Sequence, residues 1–178
     1  MANLLNLSCR DDEGSYNVVV EVPRHSRLKL KYDPPRGVFI LERALLLGVA
    51  YPYDWGFFPS TVADDGDPLD AMVLFDAPTW PGVVIPVRPI GLVRVTQKER
   101  GKRGRTRNDR IIAVPAADRR YAKVRTVPER VQKELEEFFL AATRMQKKDV
   151  RIEGWSGARA ARAAIHQAAR KYARQRAS

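Results

Sequence analysis

The sequence predicts an α+β fold, mainly β, with two helices late in the chain. Three observations carry that prediction. Short apolar segments alternate with polar residues through residues 15–22, 27–32 and 38–41, and Pro- or Gly-bearing turns separate them. An apolar stripe of helical period occurs at Val131, Leu135, Phe138, Phe139 and Ala142. A last segment, 158–174, is rich in Ala, Arg and Lys, which favour helix. At 178 residues and 44% hydrophobic content, one domain over 1–178 with its own core is expected.

Residues 15–22 read as a strand with Val18, Val20 and Val22 on one face and Val19 and Glu21 on the other. Glu21 is then either an ordinary surface carboxylate or a ligand pointing into a site. Pro23 ends the strand. Residues 27–32 put Lys29 and Lys31 on one face and Leu28, Leu30 and Tyr32 on the other; solvated lysines are the plain reading. After the turn at 33–37 comes a strand at 38–41, followed by Arg43, a residue type that can grip phosphate oxygens with two N–H groups. Residues 51–59 are aromatic and turn-rich, with Trp55 expected in the core.

A short apolar run at 71–75 reads as a strand. The chain then turns at 78–82, and 83–86 and 87–96 read as two strands. Residues 97–107 form a hairpin tip rich in Gly and Arg. Thr126 is a candidate N-cap, with Pro128 in the first turn of a helix. Ser156 is a candidate cap for the last helix, whose basic face is read as solvated and whose His166 has no evident partner.

The chemistry concentrates between residues 63 and 70. Asp64, Asp65, Asp67 and Asp70 place four carboxylates within seven residues, around Gly66 and Pro68. Such hard oxygen donors suit Mg²⁺ or Mn²⁺ better than zinc. Like charges this close favour a bound cation or a raised pKa. An exposed acidic turn is the plain alternative. The spacing opens like an EF-hand loop, but the acidic residue that loop needs further on is missing.

Thirty-two Lys and Arg against 21 Asp and Glu give +11, an excess that attracts polyanions. The basic residues gather at 98–110 and from 144 onward. The lone Cys9 forms no disulfide framework and is given no role; it fits a reducing cytoplasm. No apolar run spans a bilayer, so no membrane association is expected, and the N-terminus lacks a signal-peptide pattern. Repeats, zinc-ligand spacing, a Walker loop and a Ser/His/Asp arrangement are absent.

Taken in order, Glu21-Val22-Pro23, Lys29, Arg43, Tyr51-Pro52, Gly56 and Asp65-Gly66-Asp67-Pro68-Leu69-Asp70 resemble the soluble family I inorganic pyrophosphatases. Pro81-Gly82, Arg88-Pro89-Ile90-Gly91, Ile111-Ile112-Ala113-Val114-Pro115, Phe138-Phe139 and Glu153-Gly154-Trp155 extend the likeness over nearly the whole chain. The resemblance implies a small, closed, mostly antiparallel OB-like barrel with two helices outside it. It implies Mg²⁺-dependent hydrolysis of pyrophosphate to two phosphates by a metal-activated water, with Mn²⁺ as an alternative ion. Asp65 and Asp70 become metal ligands, Glu21 reaches a more peripheral ion, and Asp67 accepts the water's proton. Lys29, Arg43, Tyr51 and Arg110 hold the phosphates. A homo-oligomer, a hexamer by likeness to bacterial relatives, is implied as well.

The sequence departs from that pattern. Lys31 stands where the family usually has Glu, and Trp55 where a Tyr is common. Gln97 and Asn108 align with metal-binding Asp residues, although an amide oxygen of Asn108 can still ligate Mg²⁺. Arg110 replaces a Lys, while strand alternation aims Asp109 away from its face unless a one-residue slip or a bulge turns it inward. Ala142 and Thr143 replace a Tyr-Lys pair, with Arg144 next. These changes imply weaker metal binding and slower turnover. The alternative is a catalytically degenerate relative that binds polyanions, nucleic acid or a protein partner through its basic surface; nucleic acid is the less favoured.

Overall fold

The computed structural model describes residues 3–98, 101, 103–146 and 148–177. Part of the expected hairpin tip (Glu99, Arg100 and Lys102) lies outside the described residues. Strands β1 (Tyr16–Val22), β4 (Asp54–Phe57), β5 (Asp70–Val73), β8 (Arg110–Pro115) and β6 (Val84–Gln97) pair in that order, and β6 pairs back onto β1. The ring therefore closes, which removes its sheet edges. Among the described residues only β5 and β8 run parallel. The expected closed, mostly antiparallel arrangement is met. A separate hairpin, β2 (Leu28–Asp33) with β3 (Val38–Ala44), stands beside the ring, while β7 (Thr106–Arg107) and β9 (Arg151–Gly157) attach to β6.

Alternation along the ring strands distributes most of the core between two clusters, with Val19, Tyr32 and Phe57 in a smaller third. Met72, Ile112 and Val114 face the cluster packed by α1 (Glu129–Thr143), where Leu135, Phe138 and Phe139 are buried. Ala71, Val73, Ile111 and Ala113 face the other way, toward Ala161, Ile165 and Ala168 of α2 (Ala158–Ala177). Both faces of these strands are covered, so they read as continuous apolar runs.

Several expectations are corrected. The two strands expected at 83–86 and 87–96 are one 14-residue strand, Val84–Gln97, because Pro89 sits where the β6–β8 register shifts and needs no ladder N–H there. Arg43 lies inside β3 rather than after it. Residues 54–57 and 151–157 are strands. Ser156 therefore pairs with Leu92 in the sheet and caps nothing; α2 begins directly after Gly157. Thr126 is not the cap of α1 either. Pro128 holds that place with extended ψ of 143°, so the helix begins at Glu129 without a side-chain cap. His166 does have a partner: its Nε2 lies 2.9 Å from the Tyr16 hydroxyl on β1.

Gly56 on β4 marks the tightest approach in the ring. A Cβ there would meet the Val19 carbonyl oxygen of β1 at 2.0 Å, and that oxygen is backbone. Gly56→Ala must spread the β1–β4 pair. The expected cost is on the order of 3 kcal/mol, read as a lowered urea midpoint at unchanged m-value. A midpoint equal to the wild type would show that the ring yields freely at this joint.

Candidate active site

The acidic loop is shaped by local bonds. Gly66 adopts φ +94°, a region L side chains rarely enter. The Ala63 N–H donates to the Asp67 carbonyl at 2.8 Å, and the Asp67 N–H to Asp65 Oδ1 at 3.2 Å. From α2, Lys171 Nζ donates to the Ala63 carbonyl at 2.7 Å. At the far end, the Leu69 N–H donates to Thr61 Oγ1 at 2.9 Å, and Asp70 enters β5 opposite Arg110 of β8. The turn is thus tied to rigid sheet at the residue where its last carboxylate emerges.

That placement changes the carboxylates. Burial pushes the Asp70 carboxyl up to about 6; Arg110 and Lys29 oppose the rise, whereas Asp65 and Asp67 add to it. Glu21 from β1 is pushed up to about 7, again by burial first. Its Oε1 accepts from the Tyr32 N–H at 2.8 Å, which opposes the rise, and Asp70 adds to it. Glu21, Asp67 and Asp70 line one recess together with Lys29, Lys31 and Trp55. Among the described residues no three metal-ligating side chains are drawn into a ready cluster. The donor chemistry fits a hard dication all the same. Two carboxylates held partly protonated by burial and by their neighbours would be relieved by added positive charge.

A cationic wall faces the acids. Lys29 and Arg43 are directly opposite across the β2–β3 pair, and Lys29 Nζ lies 3.5 Å from Glu42. Arg43 Nε and Nη2 donate to the Gln146 amide oxygen, in the orientation its neighbours require. Arg110 is buried over the rings of Phe139 and Trp55, 4.9 and 5.6 Å from their centroids. Its Nη1 donates to the Asn108 carbonyl at 2.7 Å, while its Nε has no hydrogen-bond partner among the described residues. Burial lowers its pKa, against the pull of Asp70. Tyr51 packs on Phe138 with ring centroids 5.0 Å apart, and burial raises its pKa above the ordinary range. Trp55 is core as well as wall, as expected.

Lys29, Arg43, Tyr51, Asp70, Asn108 and Arg110 therefore share one cleft, and Gln97, Ala142 and Thr143 line it too. Asp65 is not among the lining residues but acts electrostatically on Asp70 and Arg110. Asp109 turns away, as alternation predicts. It accepts from the Val95 N–H at 3.2 Å and from Arg107 Nε at 2.6 Å, and it lines a recess beside α2. Arg144 is not among the residues that line the cleft; it lines an adjoining surface recess that shares Thr143 and Lys148 with it. Lys31 turns its ammonium onto Asp67, 3.1 Å from each carboxylate oxygen. Two cleft residues escape sequence reasoning: Gln146 ends a single 3₁₀ turn after α1 and Lys148 lies just beyond it, where no periodicity or motif singles them out.

A family model described as inorganic pyrophosphatase matches residues 18–173. The chain belongs to the inorganic pyrophosphatase family. It is similar to the inorganic pyrophosphatase of Synechocystis sp., at 37% identity over 96% of this chain and 99% of that one. It is also similar to that of Methanosarcina mazei, at 39% identity over 89% of this chain and 92% of the relative. Its fold matches the crystal structure of the Thermus thermophilus inorganic pyrophosphatase with a TM-score of 0.87, at 35% identity, covering 96% of this chain and 99% of that one. Among the described residues no helix is long and apolar enough to cross a membrane.

Proposed function

We propose that this protein hydrolyses inorganic pyrophosphate to two phosphates with the help of Mg²⁺, Mn²⁺ being an alternative. The single observation that carries the reading is one cleft in which Lys29, Arg43, Tyr51 and Arg110 meet Asp70. Asp65, Asp70, Glu21 and the Asn108 amide oxygen would hold the metal. When bound, the ion neutralises phosphate charge and makes a nearby water more acidic. The side chains do the rest. Lys29 and Arg43, side by side on the hairpin, bind one phosphate end. Arg110 stabilises charge from a dry wall, where a cation acts more strongly than in water. Its Nε, without a hydrogen-bond partner among the described residues, is a donor open to an anion. The buried Tyr51 hydroxyl remains protonated and donates to a phosphate oxygen. Asp67 accepts the proton of the attacking water.

The reading extends to one pyrophosphatase-like domain over 1–178, working in the cytoplasm as a homo-oligomer, with a hexamer as the model drawn from bacterial relatives. Phosphate release from pyrophosphate tests the central claim. We expect turnover above background with Mg²⁺ and its loss on chelation. A second reading is favoured by one contact: the Lys31 ammonium on Asp67, where a cation or a proton would go. It makes the protein a degenerate relative that binds polyanions. Absent turnover together with salt-sensitive nucleic-acid binding would select it.

A further inference from the structure

We propose that Lys148 is a phosphate-binding, specificity-determining residue of the cleft. The inference rests on the diphosphate reading above. Lys148 lines the same cleft as Lys29, Arg43 and Arg110, and Asp70 is the one carboxylate in that lining. Among the described residues Lys148 makes no ion pair, although Glu42 lies near enough to act on it. The carboxylate next to it in sequence is committed elsewhere: Asp149 Oδ2 accepts from Arg105 Nη1 at 2.7 Å and pairs with Lys98 and Arg151 at 3.6 Å.

The backbone fixes where Lys148 sits. Its carbonyl accepts from the Lys98 N–H at 2.6 Å, which ties residue 148 to the end of β6. Asp149 adopts φ +44°, uncommon for a residue with a side chain. Residue 148 is thus anchored at the cleft by the strand it bonds to. Burial, with Lys29, Arg110 and Arg43 nearby, works against the charged form of Lys148. A cation kept among three others, without a partner of its own, is stabilised when an anion enters. A diphosphate carries the charge to engage all four, whereas a monoanion would engage fewer.

Calorimetric titration with imidodiphosphate, a non-hydrolysable analogue, tests this in the presence of Mg²⁺. Lys148→Met keeps the aliphatic stem and removes the charge. We expect its analogue affinity to fall about tenfold or more, and Lys148→Arg to keep most of it. KM should rise more than kcat falls. Mn²⁺ affinity of the resting protein should stay level or tighten, which a general loss of structure would not produce. Wild-type affinity in Lys148→Met overturns this inference alone. A wild-type protein that binds no imidodiphosphate overturns the diphosphate reading and this inference with it.

Discussion

Asp67→Asn is expected to lower pyrophosphate hydrolysis by about 10³-fold, within the range a positioned general base contributes. The amide keeps the size of the carboxylate but cannot accept the proton of the attacking water. Folding should hardly respond. Asp67 is exposed, and its ion pair with Lys31 joins two side chains that are 60% and 47% exposed, where such pairs contribute little. Imidodiphosphate affinity should hold or improve, because removing negative charge eases the approach of a polyanion. The defect should therefore lie in kcat rather than KM. Asp109→Asn supplies the contrast. Asp109 is acidic and near in sequence, but its carboxylate bonds to Val95 of β6 and to Arg107 and is not among the residues lining the cleft. Its loss should change turnover by no more than about threefold, the scale of a substitution remote from the chemistry. Single-turnover phosphate release at matched melting temperature would check both. Wild-type rates in Asp67→Asn would remove Asp67 from the proposed proton transfer.

The contrast between Asp67 and Asp109 also bears on what the sequence could reveal. Strand alternation is local, so it correctly turned Asp109 away from the cleft and put Lys29 and Lys31 on one side of their hairpin. The acidic bend was legible for the same reason: Gly66 and Pro68 act within a few residues of the carboxylates they aim. Features that depend on ring closure were not legible. Tyr16 and His166 are 150 residues apart, and only the docking of α2 against the ring brings them to 2.9 Å. The unity of β6 was hidden because Pro86 and Pro89 punctuate it locally, while pairing with β1, β8 and β9 overrides that signal. Lys148 and Gln146 belong to this class too. Their stretch has no period, and its path is set by bonds to β6 and to Arg43.

The second large effect concerns charge rather than shape. The triple variant Lys31→Glu, Gln97→Asp, Asn108→Asp is expected to bind Mg²⁺ at least about 10²-fold more tightly than the wild type, since it adds negative charge beside Asp70. It should lose stability when metal is removed. Gln97 is 3% exposed and Asn108 9% exposed, so a carboxylate at either place is buried near existing acids. Mg²⁺ at about 100 times its dissociation constant would return roughly 2.7 kcal/mol. The melting temperature of the triple variant should thus depend steeply on Mg²⁺, whereas that of the wild type should move little. The wild type already carries neutral amides at two of these positions and the Lys31 ammonium on Asp67 at the third. Calorimetry with and without Mg²⁺, at constant ionic strength, separates the two because general screening is then held fixed. A triple variant whose melting responds to Mg²⁺ no more than the wild type would mean that residues 31, 97 and 108 do not look onto a metal position. The amides and the ammonium would then be bystanders with no bearing on the proposed metal binding.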